Sequence, residues 1–429
     1  MSFTPIPTLE IWRRLSDGQQ APVGILAQNR LGVYFQYNDQ YLAGFSNLSP
    51  FTLQQNNALQ LAPRSPHQGL HGVFADSLPD GWGLLLMDRI FRQHGILPAQ
   101  ITAMDRLAFV SNSGMGALSY KPVSTYRHQG HTEVGLQTLG LQAQAIFDGQ
   151  TDDVLSALVA AGSSGGARPK VQVYFAKDDP DHCRTQPEPQ DEAWLVKFTS
   201  KNLALGHEEG VCEAAYLTMA HRAGLKIPEW QLLAAPAQSG ASHWLALKRF
   251  DWINRPNGDH GRLHMHSACG LLDADFRSPS LDYEDLIKAS SILCKSPAAG
   301  QIQFRRALFN LFAVNQDDHS KNWAFLQSDQ GDWSLAPFFD ITFSPHPFGE
   351  QATCFSGYGK KPPLKAIQKL ARAANFANWS EAKIVINEVV AAIASFGQTA
   401  KKLGVKSGTI NLIEKQLNET WQSNKHLIN

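Results

Sequence analysis

The sequence is poor in cysteine. Its five residues, Cys183, Cys212, Cys269, Cys294 and Cys354, lie far apart and form no C-x-x-C pair. That spacing excludes a zinc ribbon or a thioredoxin-type site, and an odd, scattered set makes no disulfide framework. Reduced thiols in a cytoplasm are the expectation. Net charge is absent too, since 38 Lys+Arg balance 38 Asp+Glu. This excludes a strongly basic nucleic-acid coat and an acidic solvating tail. No uncharged apolar run reaches the ~18 residues of a membrane span. The opening MSFTPIPTLEIWRR lacks the basic-then-apolar order of a secretory signal. Internal repeats and low-complexity tracts are missing as well. What is present, 43% hydrophobic residues over 429 positions, suffices for cores in two or three domains. The expectation is a soluble, cytoplasmic, multidomain protein.

Apolar and polar residues alternate from Ile25 to Tyr41 around turn residues Asn29 and Asn38, which predicts a strand and hairpin. SLPDGWGLLLMDRIFRQHGI changes to helical spacing after a Pro–Asp–Gly turn. Short strands are expected at LAFVS and GALSY, and a helix over about 151–161 with Thr151 as its cap. Next come the strand VQVYFA, a polar turn KDDPDHCRTQPEPQDE, the strand AWLVKF, a helix over 208–223, and the strands WQLLA and HWLALKRF. Beyond about residue 280 the helical period dominates. The fold class expected is α+β. An N-terminal α+β region covers 1–140, a glycine-bearing mixed region 141–280, and a mostly helical lobe 281–429.

The most informative string is Asn315-Gln316-Asp317-Asp318-His319-Ser320-Lys321-Asn322. Asp317 and Asn322 stand five apart, as in the D-x-x-x-x-N catalytic loop of protein kinases. A carboxylate there accepts the proton of an attacking hydroxyl, and an amide oxygen a few residues later suits Mg²⁺. The same residues also suit a plain turn after a helix. Eighteen residues beyond Asn322 the apolar run Ala336-Pro337-Phe338-Phe339 ends in Asp340, where a kinase has its second metal carboxylate. Upstream, WLVKF places Lys197 on an apolar strand, as a phosphate-gripping lysine stands in V-A-I-K. Glu213 is the candidate ion partner, with Glu208 and Glu209 competing. Further upstream, GSSGGARPK is neither a Walker A loop nor a full G-x-G-x-x-G, but its small residues let backbone amides approach phosphates. The chain order is that of a kinase.

These strings, with CEAAYLTMAHRAGL, LKRFD, DDHSKNWAFL and PFFDITFSP, resemble the HipA family over nearly the whole chain. That family comprises serine/threonine-kinase toxins of bacterial type II toxin–antitoxin systems. The resemblance implies a HipA-like two-lobed kinase fold with an N-terminal α/β subdomain, ATP and Mg²⁺ as cofactors, and a protein substrate, with aminoacyl-tRNA synthetases among the family's targets. It also implies a small helix-turn-helix antitoxin of the HipB type, through which alone the chain would reach DNA. By position, Asp317 becomes the proton acceptor, and Asn322 and Asp340 the metal ligands. Gly165, Gly166, Ala167, Arg168, Pro169 and Lys170 form the phosphate-covering loop, and Lys197 contacts the phosphates. Lys248, Arg249 and Phe250 line the adenine, while His319, Ser320, Lys321 and Phe339 contact nucleotide. The inhibitory autophosphorylation serine maps onto Ser163, with Ser164 as the alternative. Asp318 stands where relatives often have glycine, and Lys248 where an acid is often found, so only backbone contacts are expected from Lys248.

His264 and His266, in RLHMHSACG, are read as exposed strand histidines, and Lys365, Lys369 and Arg372 as a solvated helix face. Two other functions fit parts of the pattern. One is a small-molecule phosphotransferase of the aminoglycoside type, although SLPDGWG has no place there. The other is a non-catalytic, kinase-shaped co-repressor.

Overall fold

The computed structural model describes residues 3–127, 133–154, 156–162, 165–176 and 179–428. The candidate phosphosites Ser163 and Ser164 lie outside the described residues. The chain divides into two compact units. The first comprises residues 1–202, 233–273 and 326–332, and the second residues 203–232, 274–325 and 333–429.

In the first unit, the strands Gln60–Leu61, Val33–Tyr37, Gln20–Gln28, Thr8–Arg14 and Leu118–Lys121 form one antiparallel sheet in that order. Alternation along these strands turns Leu9, Ile11, Val23, Leu26 and Phe35 into one buried cluster. Asn38 does not turn a hairpin. It caps the helix Asp39–Gly44, accepting from the Gln40 amide. LAFVS is not a strand either, since it closes the helix Ala103–Val110. Thr102 and Asp105 cap that helix reciprocally, and its face packs on the sheet cluster.

A second antiparallel sheet orders His243–Lys248, Glu192–Lys197, Lys170–Ala176, Asp179–Arg184 and Glu133–Gly135. The strand Asp179–Arg184 lies inside the stretch expected to be a turn. Its register is backbone pairing that polar side chains do not forbid. The helix Leu136–Phe147 covers this sheet so closely that Gly140 sits against the Trp244 indole, where a Cβ would meet ring carbon at 2.2 Å. The helix expected from Thr151 is described over Ser156–Ala161, and residues 152–154 are not helical, so Thr151 does not cap it.

The second unit is mainly helical. Glu209–Arg222, Tyr283–Leu293, Pro297–Ala313, Leu364–Ala373, Trp379–Ile393, Phe396–Lys402 and Ser407–Asn424 are its helices of more than one turn. Lys365, Lys369 and Arg372 are exposed on Leu364–Ala373, and Lys369 bridges to Glu284 at 2.7 Å. Among the described residues no helix is long and apolar enough to cross a membrane.

Candidate functional site

In the second unit the helix Pro297–Ala313 delivers the chain into the turn 315–322. It stops at Val314, whose φ of +54° puts a β-branched side chain in the left-handed region. Valine is strained there, so its surroundings must hold it. The clamp is a ladder of buried amides. Asn315 Nδ2 donates to Asn310 Oδ1 at 2.8 Å, the Ser344 hydroxyl donates to Asn315 Oδ1 at 2.8 Å, and Asn310 Nδ2 donates to the Tyr283 hydroxyl at 3.0 Å. Tyr283 in turn donates to the Asp318 carboxylate.

Asp317 and Asp318, adjacent in sequence, have opposite fates. The Asp317 carboxylate is 61% exposed, with His319 Nε2 3.7 Å away. Asp318 is buried. Besides Tyr283 it accepts the Ala352 and Thr353 amides at 2.7 and 3.2 Å, and its carbonyl accepts the Trp323 indole N–H at 3.0 Å. Asp318 is therefore the peg that fixes the turn. Burial pushes its carboxyl from the ordinary 3.8 up to about 7, against the hydrogen bonds that favour the charged form. The folded chain thus takes up a proton that the unfolded chain does not hold between those values. The stability contributed is full below about 4 and lost as pH rises through about 7, amounting to at most about 4 kcal/mol. Urea midpoints should fall between pH 5 and pH 8 by more in the wild type than in Asp318→Asn, and parallel profiles would refute this account.

Asn322 ends the one-turn 3₁₀ segment Ser320–Asn322. Its Nδ2 donates to the Asp317 carbonyl at 2.7 Å, and its Oδ1 takes no hydrogen bond among the described residues. The amide oxygen is thereby oriented and left available. The segment that carries Asp340 is tied to the turn by stacking. Trp323, next to Asn322, lies parallel to Phe338 with centroids 5.9 Å apart, and Phe338 stands two residues before Asp340. The Phe338 amide donates to the Lys226 carbonyl at 2.8 Å, and Arg306 anchors the same segment through the Ala336 carbonyl at 2.6 Å. Asp340 itself adopts φ +55°. Two non-glycine residues in the left-handed region, Val314 and Asp340, thus flank the turn, as strained residues do where function over-determines the backbone.

Among the described residues no group of three or more His, Cys, Asp or Glu could hold a metal. Mg²⁺ does not require such a cage. It binds through one or two carboxylates and keeps its other positions for water and substrate phosphates. A hard carboxylate on Asp340 and an oriented amide oxygen on Asn322 fit that mode.

His319 and Ser320 carry buried polar atoms, Nδ1 and Oγ, with no hydrogen-bond partner among the described residues. Sequence reasoning missed Phe276. Its ring lies 4.3 Å from the Lys321 ammonium, 4.4 Å from Arg277 and 5.8 Å from the His319 ring. Nothing in the 274–280 string marks it, because Lys321 stands 45 positions further along the chain. Phe339 is half-buried. Glu213 is buried in the helix Glu209–Arg222, whereas Glu208 is taken up by the start of the C-terminal helix, accepting the Lys406 amide at 2.6 Å and the Thr409 hydroxyl at 2.5 Å.

In the first unit, Lys197 ends the strand Glu192–Lys197 and is buried, paired across the ladder with Lys170 on one side and Leu245 on the other. The loop 165–170 is docked on the start of the helix Gly81–Gln93. The Asp80 carboxylate accepts the Gly166 amide, and the Trp82 amide donates to the Gly166 carbonyl at 3.0 Å. The Trp82 indole donates to the Lys170 carbonyl at 2.8 Å, while Lys170 Nζ donates to the Gly165 carbonyl at 2.5 Å. Gly81 must be glycine: its φ is +42°, and a Cβ would lie 2.6 Å from Ala167 Cα. SLPDGWG is thus a seat for the glycine loop as well as a helix start. Ala167 is exposed, Arg168 half-buried and Pro169 buried.

Two expectations need correction. The Arg249 guanidinium is committed to Asp251, with contacts of 3.0 and 2.5 Å, to Gln172 at 2.5 Å and to the Gly114 carbonyl at 3.2 Å, so its side chain belongs to the core rather than to a ligand. Lys248 binds Glu192 at 2.7 Å, and Phe250 is half-buried. His264 and His266 are buried rather than exposed. His266 Nδ1 lies 2.6 Å from Asp76 and its Nε2 2.8 Å from the Ser49 hydroxyl, while His264 Nε2 meets the Leu48 carbonyl at 3.0 Å. The order Asp–His–Ser has the look of a hydrolytic triad, but Ser49 is buried and unreachable.

An α+β chain with these two motif-bearing units has the fold of the HipA proteins. The HipA N-terminal domain model matches residues 18–121 and the HipA-like C-terminal domain model residues 162–396, so the chain belongs to the HipA family. The HipA protein of Shewanella oneidensis MR-1, solved with HipB and its operator DNA, superposes over 98% of both chains with a TM-score of 0.70 at 15% identity, which establishes the shared fold. The "Putative kinase Y4dM" of Sinorhizobium fredii is 28% identical over 209 residues, 46% of this chain. The match spans 48% of that relative, so about half the length of the curated protein is shared.

Proposed function

We propose that this chain is an ATP- and Mg²⁺-dependent protein serine/threonine kinase, the toxin of a HipBA-type pair, held by a HipB-type antitoxin. The observation that carries the reading is the turn 317–322. It exposes the Asp317 carboxylate, buries Asp318 as its anchor, and turns the Asn322 amide oxygen free beside the segment bearing Asp340. In this reading Asp317 accepts the proton of a serine or threonine hydroxyl as that oxygen bonds to the γ-phosphorus. The bond from phosphorus to the bridging oxygen of the departing ADP breaks. Asn322 and Asp340 would hold Mg²⁺, which neutralises charge on the phosphate oxygens. Lys197 would grip phosphates, the loop 165–170 would cover them, and backbone at 248–250 would line the base. A protein substrate, an aminoacyl-tRNA synthetase being the class the family resemblance suggests, suits a base open to solvent.

Phosphorylation of Ser163, or of Ser164, would add close to two negative charges to a loop meant for phosphates and would switch the enzyme off. The full chain incubated with labelled ATP·Mg²⁺, cell-lysate proteins and small alcohols tests the reading. Label is expected on protein and on the peptide containing Ser163 and Ser164. Label on small alcohols alone would favour the phosphotransferase, and no ATP binding the co-repressor.

A further inference from the structure

The first unit contains a pocket of about 240 Å³ whose walls include Arg14, Arg127, Arg262, His260, Thr185 and Asn112. No aspartate or glutamate lines it among the described residues. Arg127 and Arg262 are each under a tenth exposed, and neither forms an ion pair of its own among the described residues; Asp251, already paired with Arg249, acts on Arg262 only from a distance. Arg127 donates to the Val110 carbonyl at 2.7 Å, and Arg262 to the Gly114 and Gly116 carbonyls at 2.9 and 3.1 Å. Two further polar atoms of the lining residues, Arg262 Nε and Thr185 Oγ1, are buried with no hydrogen-bond partner among the described residues.

The charge count is one-sided. Of the lining arginines Arg14, Arg127 and Arg262, Arg14 alone pairs with a carboxylate, Asp259, among the described residues, a surplus of two positive charges; Arg249 behind the wall is matched by Asp251. A buried guanidinium without an anion is costly. The strain registers on its neighbours. Burial, and then Arg249, pull Arg262 down to about 10, and burial with Arg14 and Arg262 holds His260 at about 3, uncharged. Buried polar atoms without partners call for a ligand or water.

We propose that this pocket binds a phosphate-class oxyanion, free or as a phosphomonoester, on the guanidinium groups of Arg127 and Arg262 and the hydroxyl of Thr185. Planar guanidinium forks match tetrahedral oxyanions, and charge-assisted hydrogen bonds of this type are the strong ones. The pocket volume leaves room for a small organic group beside the four oxygens. The proposal is independent of the phosphoryl-transfer reading, since it needs neither ATP nor Asp317.

The test is calorimetric titration of the full chain with inorganic phosphate and with glycerol 3-phosphate at fixed chloride ionic strength. Saturable binding at one site per chain is expected, with a rise in melting temperature. Asn112→Asp, at an exposed wall position, should weaken it by about tenfold or more, as should Arg127→Gln. The isosteric Thr185→Val should weaken binding with an unchanged melting temperature, because its hydroxyl makes no hydrogen bond to lose. Asp317→Asn should bind phosphate as the wild type does. A tighter monoester would mark a ligand with an organic group, and equal affinities would mark free phosphate. Absence of saturable binding, or full affinity in a folded Asn112→Asp, overturns the proposal.

Discussion

Asp317→Asn should lower phosphoryl transfer by about a hundred- to ten-thousand-fold, the range that a positioned general base contributes, with no loss of thermal stability. Both halves of the expectation come from the contrast with Asp318. The Asp317 side chain is largely exposed, and the turn relies on its backbone: the carbonyl receives Asn322 Nδ2, and the amide donates to the Ser344 hydroxyl at 3.4 Å. Asparagine keeps that backbone and takes away the proton acceptor. The Asp318 carboxylate is part of the fold, holding Tyr283 and two backbone amides. Its truncation to alanine would leave three buried donors unsatisfied. Initial rates with labelled ATP, beside a melting curve, separate the two aspartates. Unchanged autophosphorylation in a folded Asp317→Asn would remove Asp317 from the mechanism.

The turn was legible in sequence because it is local. Asp317, Asn322 and the helix that feeds them lie within 26 consecutive residues, and the spacing carries the chemistry directly. The strands around 25–37 and at GALSY were legible for a similar reason, since alternation reports a half-buried face, whereas Thr8–Arg14 and Gln60–Leu61 were not expected. What failed was either short or distant. LAFVS is a five-residue apolar run, and periodicity cannot separate strand from helix at that length. The deciding signal was Thr102 with Asp105, a capping box with aspartate in place of the usual glutamate. His264 and His266 looked solvent-facing because their partners Leu48, Ser49 and Asp76 lie about 190–217 residues earlier.

The glycine loop shows a middle case. Its composition announced a close backbone approach, but not what approaches. The partner is the Asp80-Gly81-Trp82 segment, 86 residues away from Gly166 in the case of Asp80. Gly81 offers the one sequence clue: a glycine at the first position of a helix, where Ser, Thr or Pro would serve the helix better, marks a place where another chain segment must fit.

Asp251→Ala should cost about 3–5 kcal/mol of stability, the usual penalty for removing one partner of a buried pair. Asp251 and Arg249 are 0% and 1% exposed at the side chain and meet at 2.5 Å. Asp251 also accepts the Gly116 amide at 2.7 Å, and its carbonyl accepts the Leu263 amide at 2.9 Å, so one residue ties three segments together. Burial alone would raise its carboxyl, but the charge and hydrogen bonds of Arg249, then Arg262 and the Gly116 amide, hold it below the usual carboxylate range. The stability it supplies is therefore present at neutral pH and is lost as pH falls below the ordinary carboxylate value towards the depressed one. Alanine would strand the Arg249 guanidinium beside Arg262 with the neutral acceptors Gln172, Tyr174 and the Gly114 carbonyl in place of an anion. Urea unfolding at pH 7 reads the loss directly. The double variant Arg249→Met with Asp251→Ala should recover much of it, because no unpaired charge then remains to be buried. A double variant as unstable as Asp251→Ala alone would show that the carboxylate acts through the Gly116 amide rather than through the arginine.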